Sequence, residues 1–153
     1  MPVTAGLYYS ENKTNPPGRR AIVLLHGAGG SHLLWPPLVR RLPGWHILAL
    51  DLPAHGRSEG PSCRSVADLA TRVLDFLAAK QVFQAALVGH SLGGAVALQV
   101  ALQRPNLVTG LGLICSAARL SLPPAMQHAL DAPYTLPDAL QTFRRLAIHP
   151  DTP

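Results

Sequence analysis

Residues 86–98 read ALVGHSLGGAVAL. The first letters form a short apolar run suited to a buried strand, and the later ones carry the pattern of a buried helix. Between them, Gly89 and Gly93 stand two residues before and two residues after Ser91. A chain that passes this sharply from strand to helix forces its central residue into a strained conformation. Small neighbours let the two backbones pass closely. The turn lifts the Ser91 hydroxyl above the end of the sheet and leaves it at a helix start, where backbone N–H groups face developing negative charge. Ser91 is therefore the candidate nucleophile. Gly-x-Ser-x-Gly alone arises by chance in roughly a few per cent of chains this long, so the strand-to-helix setting is what gives it meaning.

The surrounding sequence repeats that setting. AIVLLHG (21–27) is a continuous apolar run ending in glycine, and HILALD (46–51) is a second such run; both read as strands buried on two faces. GLYYSE (6–11) and VTGLGLIC (108–115) complete the strands. Helices are expected over 31–44, entered near Pro36 or Pro37 and stopped by Pro43-Gly44, over 65–79, and over 91–105, ended by Pro105. In 65–79, Ser65 and Asp68 form a capping box, and Val66, Leu69, Val73, Leu74 and Leu77 recur at helical spacing. The helix over 91–105 is apolar nearly all round and is expected to be buried. This alternation predicts an α/β fold: a mostly parallel sheet with helices on both faces and right-handed crossovers. Residues 1–119 form that unit. After Arg119 no strand-like run occurs. Residues 120–153 offer short helices after Pro123-Pro124 and after Pro137, the latter with Leu140, Phe143 and Leu146 on one face.

A second glycine-rich turn lies in LLHGAGGSHLLW (24–35), directly after the strand over 21–27. Open α/β sheets bind ligands at the carboxyl ends of their strands, where strand order reverses. If the strand over 21–27 lies between those over 46–51 and 85–89, the two turns meet there. The amides of Ala28 and Leu92 then converge on one oxygen, as an oxyanion hole. A phosphate-cradling loop is the other meaning of HGAGG, but Leu33 stands where its third glycine would be, and no Lys-Ser/Thr pair follows. A third stretch, DLPAHGRSEG (51–60), is a tight polar turn at the same end of the sheet.

In this order and at these distances, the three motifs resemble the α/β-hydrolase family. Its pattern is His-Gly after the third strand, Asp-x-Pro-Gly-x-Gly-x-Ser after the fourth, and Gly-x-Ser-x-Gly after the fifth. The one departure is Ala54, which stands where the family usually has glycine and bears on local turn geometry. The resemblance covers roughly residues 6–118 and implies a serine hydrolase. Ser91 would be its nucleophile, and Ala28 and Leu92 its oxyanion amides. The substrate would be a small ester or related acyl compound, cleaved through an acyl-enzyme, with no cofactor and no metal. It also implies that residues 120 onward begin a helical cap. A serine at this position argues against the epoxide hydrolase and haloalkane dehalogenase branches, whose nucleophile is aspartate. Esterase, thioesterase, C–C bond hydrolase, acyltransferase and cofactor-free haloperoxidase stay open. So does a non-catalytic, hydrolase-like binding protein.

A serine alcohol needs a general base, usually a histidine oriented by a carboxylate. In the family the acid follows the seventh strand, or sometimes the sixth, and the histidine follows the eighth. After the sixth strand here comes Cys115-Ser116-Ala117-Ala118, without a carboxylate. His90 adjoins Ser91, but neighbouring side chains diverge at such a turn. His26 and His55 lie in loops at the right end of the sheet and read as holders of loop backbone. His32 and His46 carry no signal. His128 and His149, with Asp131, Asp138 and Asp151 near them, follow Ser91 in the family's order without any strand to place them. The acid and base are expected beyond residue 153, so the chain reads as the N-terminal portion of a longer enzyme. Alone, it is expected to be an inactive fragment that aggregates or is marginally stable, with residues 108–115 at an open sheet edge.

Composition bounds the rest. With 153 residues, 48% of them hydrophobic and 14% charged, the chain is one globular domain's worth of protein. The net charge of +5 is carried mostly by scattered arginines, with Lys13 and Lys80 the only lysines. No long basic run interleaved with aromatics is present, which argues against nucleic acid as a partner. Cys63 and Cys115 share no motif spacing and read as free thiols in a reducing compartment. The N-terminus lacks a signal-peptide pattern, and no apolar stretch approaches the ~18 residues of a membrane span. A cytoplasmic protein with a small-molecule substrate and no membrane partner is expected; oligomeric state is left open.

Overall fold

In the computed structural model, which describes residues 2–12, 21–61, 63–118 and Pro124, each apolar run becomes a strand. The strands are β1 (Val3–Thr4), β2 (Leu7–Glu11), β3 (Ala21–Leu25), β4 (His46–Leu50), β5 (Ala85–His90) and β6 (Val108–Ile114). The helices are α1 (Pro37–Arg40), α2 (Val66–Ala79) and α3 (Leu92–Gln103). The sheet order is β1-β2-β4-β3-β5-β6. β4, β3, β5 and β6 run parallel, and β2 pairs antiparallel with β4. β3 thus lies between β4 and β5, the order required for the two glycine-rich turns to meet. Leu25 pairs with both Leu50 and Gly89, so three adjacent strands end level and release their loops on one side.

Side chains along β3 alternate between two cores, as the pleat dictates. Val23 and Leu25 join Leu48, Leu50 and Leu87 against α2 and α3, where Val73, Phe76, Leu77, Val96 and Val100 are buried. Leu24 faces the other way, into a smaller cluster with Ile47, Ala49 and Trp35. In α2, Ser65 caps the start by accepting the Asp68 N–H, which satisfies one of the helix's orphan donors.

Three features differ from the sequence reading. β1 forms a hairpin with β2 through Ala5 and Gly6, at φ +49° and +79°. Two consecutive left-handed residues match the right-handed twist of a tight hairpin, but alanine at the first of them hides the signal. The stretch 31–44 is not one helix. It is a 3-10 turn over His32–Leu34 and a single α-turn, with Trp35 extended between them. Pro36 disfavours helical backbone at the residue before it. Finally, α3 is buried along Gly93, Gly94, Val96, Ala97 and Val100, but its outer face exposes Leu102 at 77%.

Among the described residues β6 pairs with β5 alone, and Leu111, Leu113 and Ile114 are exposed. No helix among them is long and apolar enough to cross a membrane. The chain divides into Met1–Ala118 and Arg119–Pro153. Apart from Pro124, the second lies outside the described residues, and with it the expected cap helices, His128, His149, Asp131, Asp138 and Asp151.

Candidate active site

Ser91 sits between the last residue of β5 and the first of α3 with φ +50° and ψ −116°. Side-chain-bearing residues rarely adopt such backbone, and the structure around them must hold it. Three elements do so. The Ser91 N–H donates to the Ile114 carbonyl at 2.9 Å. The Ser91 carbonyl accepts from the Gly94 N–H at 2.9 Å and from the Ser116 hydroxyl at 2.9 Å. The backbone is therefore saturated, while the Ser91 side chain makes no capping bond to the helix it starts. The residue is half-buried.

The flanking glycines are required by contact. A Cβ on Gly89 would run into the Gly93 carbonyl and the Gly94 nitrogen, and one on Gly93 would meet the carbonyls of Leu25 and His26. The loop after β3 passes as close: a Cβ on Gly27 would lie 3.3 Å from the Ser91 Cβ and 2.9 Å from His90 Nδ1. Residues 26–30 and 90–92 thus lie side by side. Ala28 is exposed and Leu92 half-buried. Among the described residues, neither the Ala28 nor the Leu92 amide donates a hydrogen bond. For Leu92 this follows from its place in the first turn of a helix.

His26 is fully buried and bridges two loops. Nδ1 lies 2.7 Å from the Gly27 carbonyl, and Nε2 lies 2.9 Å from the Leu52 amide. Nε2 accepts from that N–H, so Nδ1 carries the proton and the ring is neutral. Burial lowers the His26 pKa below 6.5, against the hydrogen bond to Gly27, which raises it. His55 turns Nδ1 toward the Pro53 carbonyl at 2.8 Å. Both rings hold loop backbone, as the sequence suggested. Nδ1 of His90 is buried and has no hydrogen-bond partner among the described residues.

Asp51 and His32 were the residues that sequence reasoning missed. Asp51 ends β4 and is completely buried. One carboxylate oxygen accepts from both the backbone N–H and Nδ1 of His32, the latter at 2.8 Å, and the other accepts from the Arg57 N–H at 2.8 Å. Its own carbonyl accepts from the Ser58 hydroxyl at 2.6 Å. The readable signal was an aspartate at a buried strand end, just before a proline turn. A carboxylate there is tolerable only if turn amides surround it. Ala54, the departure from the family pattern, has φ +59°, the left-handed backbone for which glycine is the usual choice. At the opposite end of the sheet His46 pairs with Glu11 at 2.8 Å, and Lys80 with Glu11 at 3.0 Å. Burial raises the Glu11 pKa, but the hydrogen bonds from His46 and Lys80 outweigh it and hold the carboxyl below 4.5.

Known proteins resemble this chain in sequence and fold. The sequence model of the alpha/beta hydrolase fold matches residues 20–152. The chain is 39% identical to the uncharacterized hydrolase YugF of Bacillus subtilis (strain 168) over 73% of its length and 42% of that protein's. It is 35% identical to a pimeloyl-[acyl-carrier protein] methyl ester esterase of Pectobacterium carotovorum, over 92% of its length and 51% of the esterase's. It therefore spans about half the length of the curated relatives it matches. Among solved structures it resembles Est816, described as an N-acyl homoserine lactone degrading enzyme. The TM-score is 0.72 at 27% identity, covering 92% of this chain and 52% of that one. Strand order, the turn around Ser91 and the family match agree: the chain belongs to the alpha/beta hydrolase family.

Proposed function

We propose that this chain carries the nucleophile and the oxyanion site of a serine hydrolase acting on a small ester or related acyl compound. The observation that carries the reading is the backbone of Ser91. A non-glycine residue is held at φ +50° by bonds to β6 and α3, and its hydroxyl is left unspent on the helix. Such strain persists where the surroundings enforce it, and it clusters at active sites. The Ser91 oxygen attacks the acyl carbon, and its proton passes to a general base. The tetrahedral oxyanion is met by the free amides of Ala28 and Leu92. Collapse expels the alcohol, which takes up the proton. Water then attacks the acyl-enzyme and releases the acid. The relatives' names agree on chemistry: a methyl ester and a homoserine lactone both present an acyl–oxygen bond.

Among the described residues no histidine is hydrogen-bonded to the Ser91 hydroxyl. His26 spends both ring nitrogens on loop backbone, and His32, His46 and His55 each give one to a structural partner. That observation favours a second reading, a hydrolase-like binder without turnover. A fluorophosphonate probe applied to the full-length protein separates the two. Labelling confined to Ser91, lost in Ser91→Ala, together with turnover of p-nitrophenyl acetate supports the hydrolase. Neither labelling nor turnover supports the binder.

A further inference from the structure

We propose that His32 is a positioning residue for the loop that carries the Ala28 amide, an inference that rests on the hydrolase reading above. The loop over residues 26–31 has two ends to hold. At its start, His26 is fixed by Gly27 and Leu52. At its far end, His32 gives both its backbone N–H and its ring Nδ1 to one oxygen of the buried Asp51 carboxylate. The other oxygen of Asp51 takes the Arg57 amide. One carboxylate thereby ties the turn after β3 to the turn after β4. The His32 ring is buried and packs at 5.1 Å from the Tyr8 ring. Tyr8 in turn receives the Arg57 guanidinium at 3.2 Å.

Ala28, Gly29 and Gly30 lie between the two anchors. Their only internal backbone bond among the described residues runs from the Gly30 N–H to the Gly27 carbonyl, at 3.1 Å. Gly29 sits at φ +71° with open space around it. A loop this sparsely bonded takes its shape from its ends. An oxyanion donor is useful only when its nitrogen is preorganised within about 3 Å of where the charge develops. His32 therefore acts through the loop and not on the substrate.

The test compares His32→Asn, His32→Gln and His32→Leu in the full-length protein. Asparagine keeps an N–H donor at the position of Nδ1. Glutamine moves the donor one bond further out, and leucine removes it. Hydrogen exchange of the two hydrogen-bonded amides of this segment, those of Gly30 and residue 32, is the first readout, with β3 and β5 amides as internal controls. His32→Leu and His32→Gln should speed exchange in that loop by about tenfold or more, leaving the strand amides unchanged, while H32N stays within a few-fold of the original. The second readout is ester turnover. Leucine should lower kcat by about tenfold or more with KM nearly constant, and asparagine should restore it. Unchanged loop exchange in the leucine and glutamine chains overturns the proposal. So does an asparagine chain no better than leucine, since ring packing and not the hydrogen bond would then matter. If His32→Leu does not fold, the glutamine and asparagine pair decides by the same criteria. Lack of turnover in the unmodified full-length protein defeats the hydrolase reading instead, and the exchange measurement still decides whether His32 holds the loop.

Discussion

Nε2 of His26 accepts the amide hydrogen of Leu52 at 2.9 Å, while its Nδ1 donates to the Gly27 carbonyl at 2.7 Å. Only the neutral ring can make both bonds.

This sets a pH dependence. Burial, set against the hydrogen bond to Gly27, leaves the folded-state pKa below the 6.5 of an exposed histidine. Between those two values the unfolded chain binds a proton that the folded chain refuses. The contribution of His26 is fully present above about pH 6.5 and is lost as the pH falls from there towards the folded-state value. Melts recorded from pH 7.5 to 5 should show Tm falling below about 6.5. His26→Ala should flatten that fall and cost about 2–4 kcal/mol at pH 7.5, from the cavity and the orphaned Leu52 amide. A Tm that holds constant across the window contradicts this account.

At Ser91 stability and chemistry oppose each other. Glycine adopts φ +50° without a Cβ penalty, so Ser91→Gly should stabilise the chain by about 1 kcal/mol. Ser91→Ala keeps the strain and should change stability by less than about 0.5 kcal/mol. Both should abolish fluorophosphonate labelling. Denaturant melts of the two variants check the contrast. Equal stabilisation by alanine and glycine would mean that backbone strain is not the source.

Ala54 occupies left-handed backbone at φ +59°. Alanine there costs roughly 1 kcal/mol relative to glycine, partly offset by the greater freedom of glycine in the unfolded chain. Ala54→Gly should therefore raise stability by a few tenths to about 1 kcal/mol, read as a higher urea midpoint at constant slope.

Gly89→Ala tests the contact between strand and helix. Its Cβ would meet backbone atoms of Gly93 and Gly94 rather than a side chain that could swing away. Rigid backbone gives little, so a loss of about 3 kcal/mol or more is expected. Gly44→Ala is the control, with φ +81° but nothing within reach of a new Cβ; backbone strain alone should cost it only about 1 kcal/mol.

The sheet was legible because burial on both faces writes continuous apolar runs. AIVLL, HILAL and AALV could hardly be anything else once glycine and proline bounded them. The turn around Ser91 was legible because steric limits demand two glycines at fixed spacing. The β1–β2 hairpin was hidden because Ala5 takes a conformation usually signalled by glycine or asparagine. The helix expected over 31–44 failed because the apolar pattern ignores what Pro36 does to Trp35. His32 and Asp51 were illegible as partners: 19 residues separate them, and only the parallel pairing of β3 with β4 brings their loops together. Local pattern reports which face a residue takes, whereas partnership across loops is a property of topology.

The position of β3 has a consequence for biosynthesis. It leaves the ribosome before either neighbour, and its second edge is covered only by β5, on the far side of α2. A nascent chain halted just after α2 would hold the middle of its sheet bare. Until Gly89 emerges to pair with Leu25, a chaperone is better placed than the chain itself to keep that edge from a neighbouring polysome product.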